Sequence, residues 1–401
     1  MLYKKTLFQI SQFFLMCLIF MMNVNGNNFF HLKEVFFILF VVCSLQYGNY
    51  RKLFNFLLMI CLYLYSAIVN LFTEPAYQFN AAIYNLLGFI YLFLQVFEIE
   101  GYKNTIIKAF LASSFCVALV SIIVWIFCMC SPIIATGMKL FFEINKTDVA
   151  AFIFMIEERR ILGFHFLRVY YCTAPCMICS LGFYCLKQLN HGKMKNLFFI
   201  LVYSFALFIS GARANILVVV LLLGGCFCLK LLKQKKIARA FLLVLIASSF
   251  AIAFLFMLAG EKTDSSIKVK DLHKTSYMEI FSEHPYKTFF TGWGAGSEFY
   301  SKGFDEMTTT TELSFFETIR RYGFVSTILI FIFIWGRPII YCFSNKMSLV
   351  YQLYLSIIIV SYIFVACTNP FLLGSIGFCS LIFMEVLIQD YFNKGVKNEL
   401  Y

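Results

Sequence analysis

Arg213 stands in the segment SGARANI, on a connection of a few residues between two apolar runs. A guanidinium offers five N–H donors in a fixed planar fork, and a helix start adds backbone donors beside it. The position therefore suits an anion such as a diphosphate. The competing reading is an arginine at a span end that snorkels toward lipid headgroups. A second group, Glu157, Glu158, Arg159 and Arg160 followed by Arg168, is either a cationic rim beside a lipid-facing groove or the ordinary charge at a span mouth. A third group lies in 260–318. There Pro285 restricts the chain, while Gly292, Gly294 and Gly296 free it for a tight turn around Trp293, whose indole face suits stacking on a sugar. Beyond the turn, the run Thr308–Thr311 is expected to supply an N-cap, with Glu312 in the first turn of a helix, where a carboxylate suits the dipole. Glu317, Arg320 and Arg321 lead on into the next apolar run. His273 and His284 read as exposed loop residues, with their titration range as the one hint of proton transfer.

The elements that must position these residues are membrane helices. Charged residues make up 13% of the chain and hydrophobic ones 61%, with 51 phenylalanines, more apolar surface than a soluble core absorbs. A spanning helix needs about 20 mostly apolar residues. Such runs fall near 6–24, 33–48, 53–72, 79–97, 106–130, 166–186, 196–210, 214–232, 239–259, 322–343, 349–367 and 372–388. The expected fold is thus all-α: a polytopic integral membrane protein of about twelve transmembrane helices, one membrane domain over 1–401. Two polar gaps interrupt it. The first outer loop, 131–165, contains the apolar stretch 149–156, expected as an interfacial helix, and the large late outer loop is 260–318.

Charge gives the orientation. Lys4/Lys5, Arg51/Lys52, Lys103/Lys108, Lys187/Lys193/Lys195, the run from Lys230 to Arg239, Arg337/Lys346 and Lys394/Lys397 fall on alternate loops. The positive-inside rule assigns those loops and both termini to the cytoplasm. By this assignment the formal net charge of +12 lies on that side, a topology and anionic-lipid signature rather than a nucleic-acid footprint. The N-terminal Lys4/Lys5 and its apolar run lack a small-x-small cleavage site and read as a retained first helix. All 15 cysteines fall in or beside expected spans, so no disulfide framework is expected. The Cys172, Cys176, Cys179 spacing allows a metal, but with no histidine near on that side these thiols read as apolar fillers. There is no Asp-x-Asp motif and no glycine fingerprint for a nucleotide-sugar donor.

Four pieces carry a family resemblance: "SGARANILVVVLL", "HPYKTFFTGWGAG", "TTTTELSFFETIRRYGFVSTILIF" and "TNPFLLGSIGFCSLIF". Their order, together with "RRILGFHFLRVYY" ahead of them, resembles that in O-antigen and capsular repeat-unit polymerases, relatives of the O-antigen ligases; it covers roughly 155–390. The resemblance implies metal-independent glycosyl transfer without a cofactor, at the outer leaflet of a bacterial inner membrane. A growing glycan on undecaprenyl diphosphate would pass to a new lipid-linked repeat unit during lipopolysaccharide or capsule synthesis. It implies that outer-face arginines hold the diphosphate; by their own chemistry Arg213, with Arg159, Arg160, Arg320 or Arg321, suits that role, and Glu312, with His284 and His273 behind it, is the expected base. Trp293 would stack on sugar. The family's setting admits a chain-length regulator protein as a further partner. Ligases carry a His where Glu312 stands, which argues against that subtype. A ligase, or a flippase or other carrier for lipid-linked oligosaccharide, stands as the alternative, although carriers usually show two related halves.

Overall fold

Long apolar runs become helices because lipid offers no partners to backbone N–H and C=O groups, which must therefore bond within their own segment. The computed structural model describes residues 2–21, 32–47, 53–73, 102–144, 154–161, 164–239, 241–242, 265–311, 313–344, 347–367, 369 and 374–398. In chain order these form α1 (Leu2–Met21), α2 (Leu32–Tyr47), α3 (Leu53–Thr73), α4 (Tyr102–Cys130), α5 (Pro132–Ile144), strands β1 (Phe154–Ile161) and β2 (Phe164–Tyr171), α6 (Met177–His191), α7 (Met194–Ile209) and α8 (Arg213–Lys233). Then follow α9 (Ser265–Glu283), α10 (Pro285–Phe290), β3 (Phe299–Ser301), β4 (Glu306–Thr308), α11 (Ser314–Tyr322), α12 (Phe324–Cys342), α13 (Leu349–Cys367) and α14 (Ser375–Asn398).

Among the described residues, five helices are long and apolar enough to cross a membrane: Lys103–Cys130, Arg213–Lys233, Phe324–Cys342, Leu349–Cys367 and Ile376–Asn393. Further apolar stretches, Thr6–Met21, Ile60–Val69 and Met194–Ile209, lie within α1, α3 and α7. The chain is mostly helical, compatible with a multi-pass membrane protein, and among the described residues five of the expected twelve spans meet the length and composition. The expected span 79–97 and nearly all of 239–259 lie outside the described residues.

Three expectations need correction. The all-α expectation misses two antiparallel hairpins, β1–β2 and β3–β4. The expected sixth span, 166–186, is strand through Tyr171 and becomes α-helix only at Met177. The β-branched and aromatic residues of FHFLRVYY fit a pleated surface, which apolarity alone does not reveal. The expected interfacial helix at 149–156 is strand from Phe154 on, and the helix of the first loop is instead α5.

The core is aromatic and sulfur-rich. Phe110 of α4 stacks on Phe383 of α14 at 4.3 Å, and Tyr184 of α6 on Phe199 of α7 at 4.4 Å. Small polar groups tie the helices where there is no water to drive them together. Ser114 of α4 bonds Ser180 of α6 at 2.7 Å and Tyr203 of α7 at 3.0 Å. Tyr354 of α13 donates to the Leu222 carbonyl of α8 at 3.2 Å.

Hydrogen bonds also show which helix ends share a face. Asn190, at the C-terminal end of α6, accepts from Tyr351 at the start of α13 and donates to Tyr391 in the last part of α14 at 3.3 Å. The opposite ends of these helices therefore meet at the other face: Met177, Cys367 and Ser375. Tyr171 donates to the Met21 carbonyl at the end of α1 and lies just ahead of α6, and Ser314 donates to the Asn369 carbonyl just past α13. Both hairpins and the segments around them thus belong to that second face.

Candidate functional site

Two clusters on this face hold buried charges, Arg168 in one and Glu317 with Arg320 in the other. The first is built on β1–β2, whose register sets Glu157 opposite Arg168, Arg159 opposite Phe166 and Arg160 opposite His165. Alternation turns Phe154, Ile156, Val169 and Tyr171 into the protein, where all are buried. Arg168 nonetheless is only 7% exposed. Its Nη1 donates to Glu157 Oε1 at 2.5 Å, its Nε donates to the Ser210 carbonyl at 2.8 Å, and its guanidinium lies 4.5 Å from the Tyr170 ring centroid.

Through Ser210 this arginine pins the turn that starts α8. Gly211 has φ +63°, and a Cβ there would sit 2.8 Å from Arg168 Cγ, so glycine is required both by conformation and by space. Ser210 Oγ donates to the Leu207 carbonyl at 2.5 Å and accepts from Asn215 Nδ2 at 3.0 Å. The N-cap, Ala212, supplies no side-chain cap, and Arg213 is the first residue of the helix, half-buried. The turn thus sets Arg213 at the start of a helix, where the dipole favours an anion.

The second cluster is a closed network around Glu317. Oε1 accepts from Arg320 Nη2 at 2.7 Å and Arg321 Nε at 2.5 Å, while Oε2 accepts from Tyr277 Oη at 2.6 Å and Arg320 Nε at 3.1 Å. Arg320 also donates to the Ser297 carbonyl at 3.0 Å, Ser297 Oγ at 2.6 Å and the Thr309 carbonyl at 2.9 Å, and lies 4.6 Å from the Phe299 ring centroid. All five donors of that guanidinium are engaged by protein. Burial raises the Glu317 carboxyl, but the Arg320 and Arg321 guanidiniums outweigh it and hold the pKa down to about 2. Burial first, and the adjoining Glu317 carboxylate second, push the Tyr277 phenol up.

The glycine turn belongs to the same network. Trp293 N donates to the Arg320 carbonyl at 2.8 Å and Gly294 N to the Arg321 carbonyl at 3.1 Å. These close the C-terminal end of α11, whose last carbonyls would otherwise lack partners. Ser66 of α3 donates to the same Arg321 carbonyl at 2.8 Å, tying the unit to the bundle.

The expected site residues fare differently. Arg320 and Arg321 come together on Glu317, and Arg213 sits beside the Arg168 turn. Arg159 and Arg160 lie on β1, but only their backbone is described, and Glu312 lies outside the described residues. The Thr308–Thr311 run does not cap a helix: α11 begins at Ser314 after Leu313, which makes no side-chain cap, and the first-turn acid is Glu317. Trp293 is 7% exposed, with Lys287 Nζ 5.4 Å from its ring centroid, so its indole offers little free face to a sugar. His284 is exposed, as expected, beside Trp293 with ring centroids 6.3 Å apart. His273 is the reverse of an exposed loop residue: it is fully buried on α9, with Nδ1 2.7 Å from Ser301 Oγ and its ring edge-on to Phe304.

Glu317 as a hub was missed, although its spacing to Arg320 and Arg321, three and four residues on, is the pattern of a helix-face ion pair. Tyr277 carried no signal. Searches of protein-family models, curated proteins and solved structures found no match to this chain.

Proposed function

We propose that the chain is a membrane glycosyltransferase that polymerises oligosaccharide repeat units carried on undecaprenyl diphosphate, at the outer leaflet of a bacterial inner membrane, for O-antigen or capsule. The observation that carries this reading is Arg213 on the Arg168-pinned turn, at the uncapped start of α8. The order of the sequence pieces described above supports it, and so does the location of both charged clusters at one end of the bundle.

In the proposed reaction, a sugar hydroxyl of the new repeat unit attacks the anomeric carbon of the growing chain. A C–O bond forms there while the bond to the diphosphate breaks, and the diphosphate leaves with the electron pair. The hydroxyl proton passes to a base. Such a leaving group needs charge neutralisation more than protonation. Arg213 is assigned that role, with Arg159 and Arg160 of β1. Arg320 is withdrawn from it, since its donors are already spent on Glu317, Ser297 and Thr309. Glu317 cannot be the base with its carboxylate held near pKa 2 and both oxygens occupied. That role stays with Glu312, then the exposed His284.

Gel analysis of surface polysaccharide tests the reading. Deleting the gene is expected to leave single repeat units on their anchor, and complementation with Arg213→Ala to leave them unextended although the protein inserts. Unchanged long chains after deletion would refute the polymerase, and loss of all surface glycan would indicate a flippase or ligase.

A further inference from the structure

α5 has three faces rather than two. Ala135, Met138 and Phe142, spaced three and four apart, turn toward the protein: Met138 Sδ accepts from Cys128 Sγ at 3.7 Å, and the Phe142 ring lies 5.6 Å from that of Phe154 on β1. Thr136, Lys139 and Glu143 form a polar ridge, with Lys139 and Glu143 3.9 Å apart and both exposed. Ile133, Ile134, Leu140, Phe141 and Ile144 make the third face, and all are exposed. On a helix of 3.6 residues per turn these five occupy one sector, between the polar ridge and the packed stripe.

Length excludes a span, since 13 residues make a helix of about 20 Å against a hydrocarbon core of about 30 Å. Direction excludes a continuation of α4. Met138 touches Cys128, ten residues back, whereas a straight helix would set them about 15 Å apart. The chain therefore bends sharply at Ser131–Pro132, with proline in the first helical position, where it suits a helix start.

The surface running into this bend names the occupant. α4 is one of the helices fit to span, and its last turns expose Ile123, Ile126, Phe127 and Met129. Ser131 alone separates the end of that helix from α5, so their exposed apolar side chains follow one another along the chain. From this continuity we infer that α5 lies in the plane of the membrane surface, with Ile133, Leu140, Phe141 and Ile144 among the acyl chains of the adjoining leaflet and Lys139 and Glu143 at the headgroups. Its packed stripe then holds β1–β2, and with it Arg168, at headgroup depth. Lipid contact at α5 does not depend on the polymerase chemistry.

The test uses the full chain reconstituted in phosphatidylcholine–phosphatidylglycerol vesicles containing lipids brominated near either end of the acyl chain. The readout is the emission that Phe141→Trp or Thr136→Trp adds to the wild-type signal. The added emission of Phe141→Trp is expected to be lost to bromines near the carboxyl end of the chain and spared by those near the methyl end, with Thr136→Trp less quenched by both. Equal quenching of the two variants, or no quenching of Phe141→Trp, overturns the inference. So does added emission that changes only with protein-to-lipid ratio, which would place a second copy of the chain on this face.

Discussion

Arg168 and Glu317 are both buried charges, and each is stable only because its partners are in place. Removing one member of such a pair leaves the other charged and dry, at a cost of about 3–5 kcal/mol. Glu317→Ala is thus expected to destabilise the chain by about that much, read as a lower unfolding temperature and faster proteolysis within 265–323. The acid also sets a pH dependence. Its carboxyl falls from the ordinary value of 4.5 to about 2 on folding, so its contribution is complete above pH 4.5 and is lost as pH falls toward 2. Unfolding temperature is expected to decline through that window in the wild type, and less steeply in Glu317→Gln. The pairing of Glu317 with Arg320 and Arg321 was legible from spacing alone. That Tyr277 and Ser297 would complete it was not, because those partners lie on elements 40 and 20 or more residues away in sequence.

At the scale of elements, two sequence pieces read separately prove to be one knot. Gly292 of FFTGWGAG is needed because the turn lies against the end of α11. A Cβ on Gly292, at φ +66°, would sit 2.6 Å from the Gly323 nitrogen and 2.7 Å from the Arg320 carbonyl, both immovable backbone. Gly292→Ala is expected to loosen the 265–323 unit by more than the about 1–2 kcal/mol of a left-handed residue alone. Gly137 is the contrasting case. It lies within α5 with nothing near its Cβ, so Gly137→Ala is expected to be neutral or stabilising by up to about 1 kcal/mol. Thermal unfolding of the two variants side by side checks both. Composition announced a turn at 292–296, whereas its contact with α11 required the fold.

For the molecule as a whole, a shared face is the organising fact. The Asn190 clasp gathers the starts of α13 and the ends of α6 and α14, which sends Arg168, Arg213 and the Glu317 network to the opposite end. If the basic loops face the cytoplasm, that end faces out. Lys139→Cys and Lys302→Cys are then expected to react with a membrane-impermeant maleimide in intact cells, above the background of the native thiols. Lys195→Cys should react only after permeabilisation. Labelling in the opposite sense would place the arginines in the cytosol and end the polymerase proposal.

What the sequence determined by itself was the solvent: apolar runs of bilayer length, few charges, and helices as the means of closing backbone hydrogen bonds. It also located the polar segments and most of the charges within them, since both are properties of neighbouring residues. Which charges pair and which lie buried was decided only by tertiary structure. Arg320 and Arg213 look equally available in sequence. One meets Glu317, Ser297 and Thr309 across the fold, and the other begins a helix on a turn held by Arg168. Those partners are far apart along the chain, and no local pattern encodes their meeting.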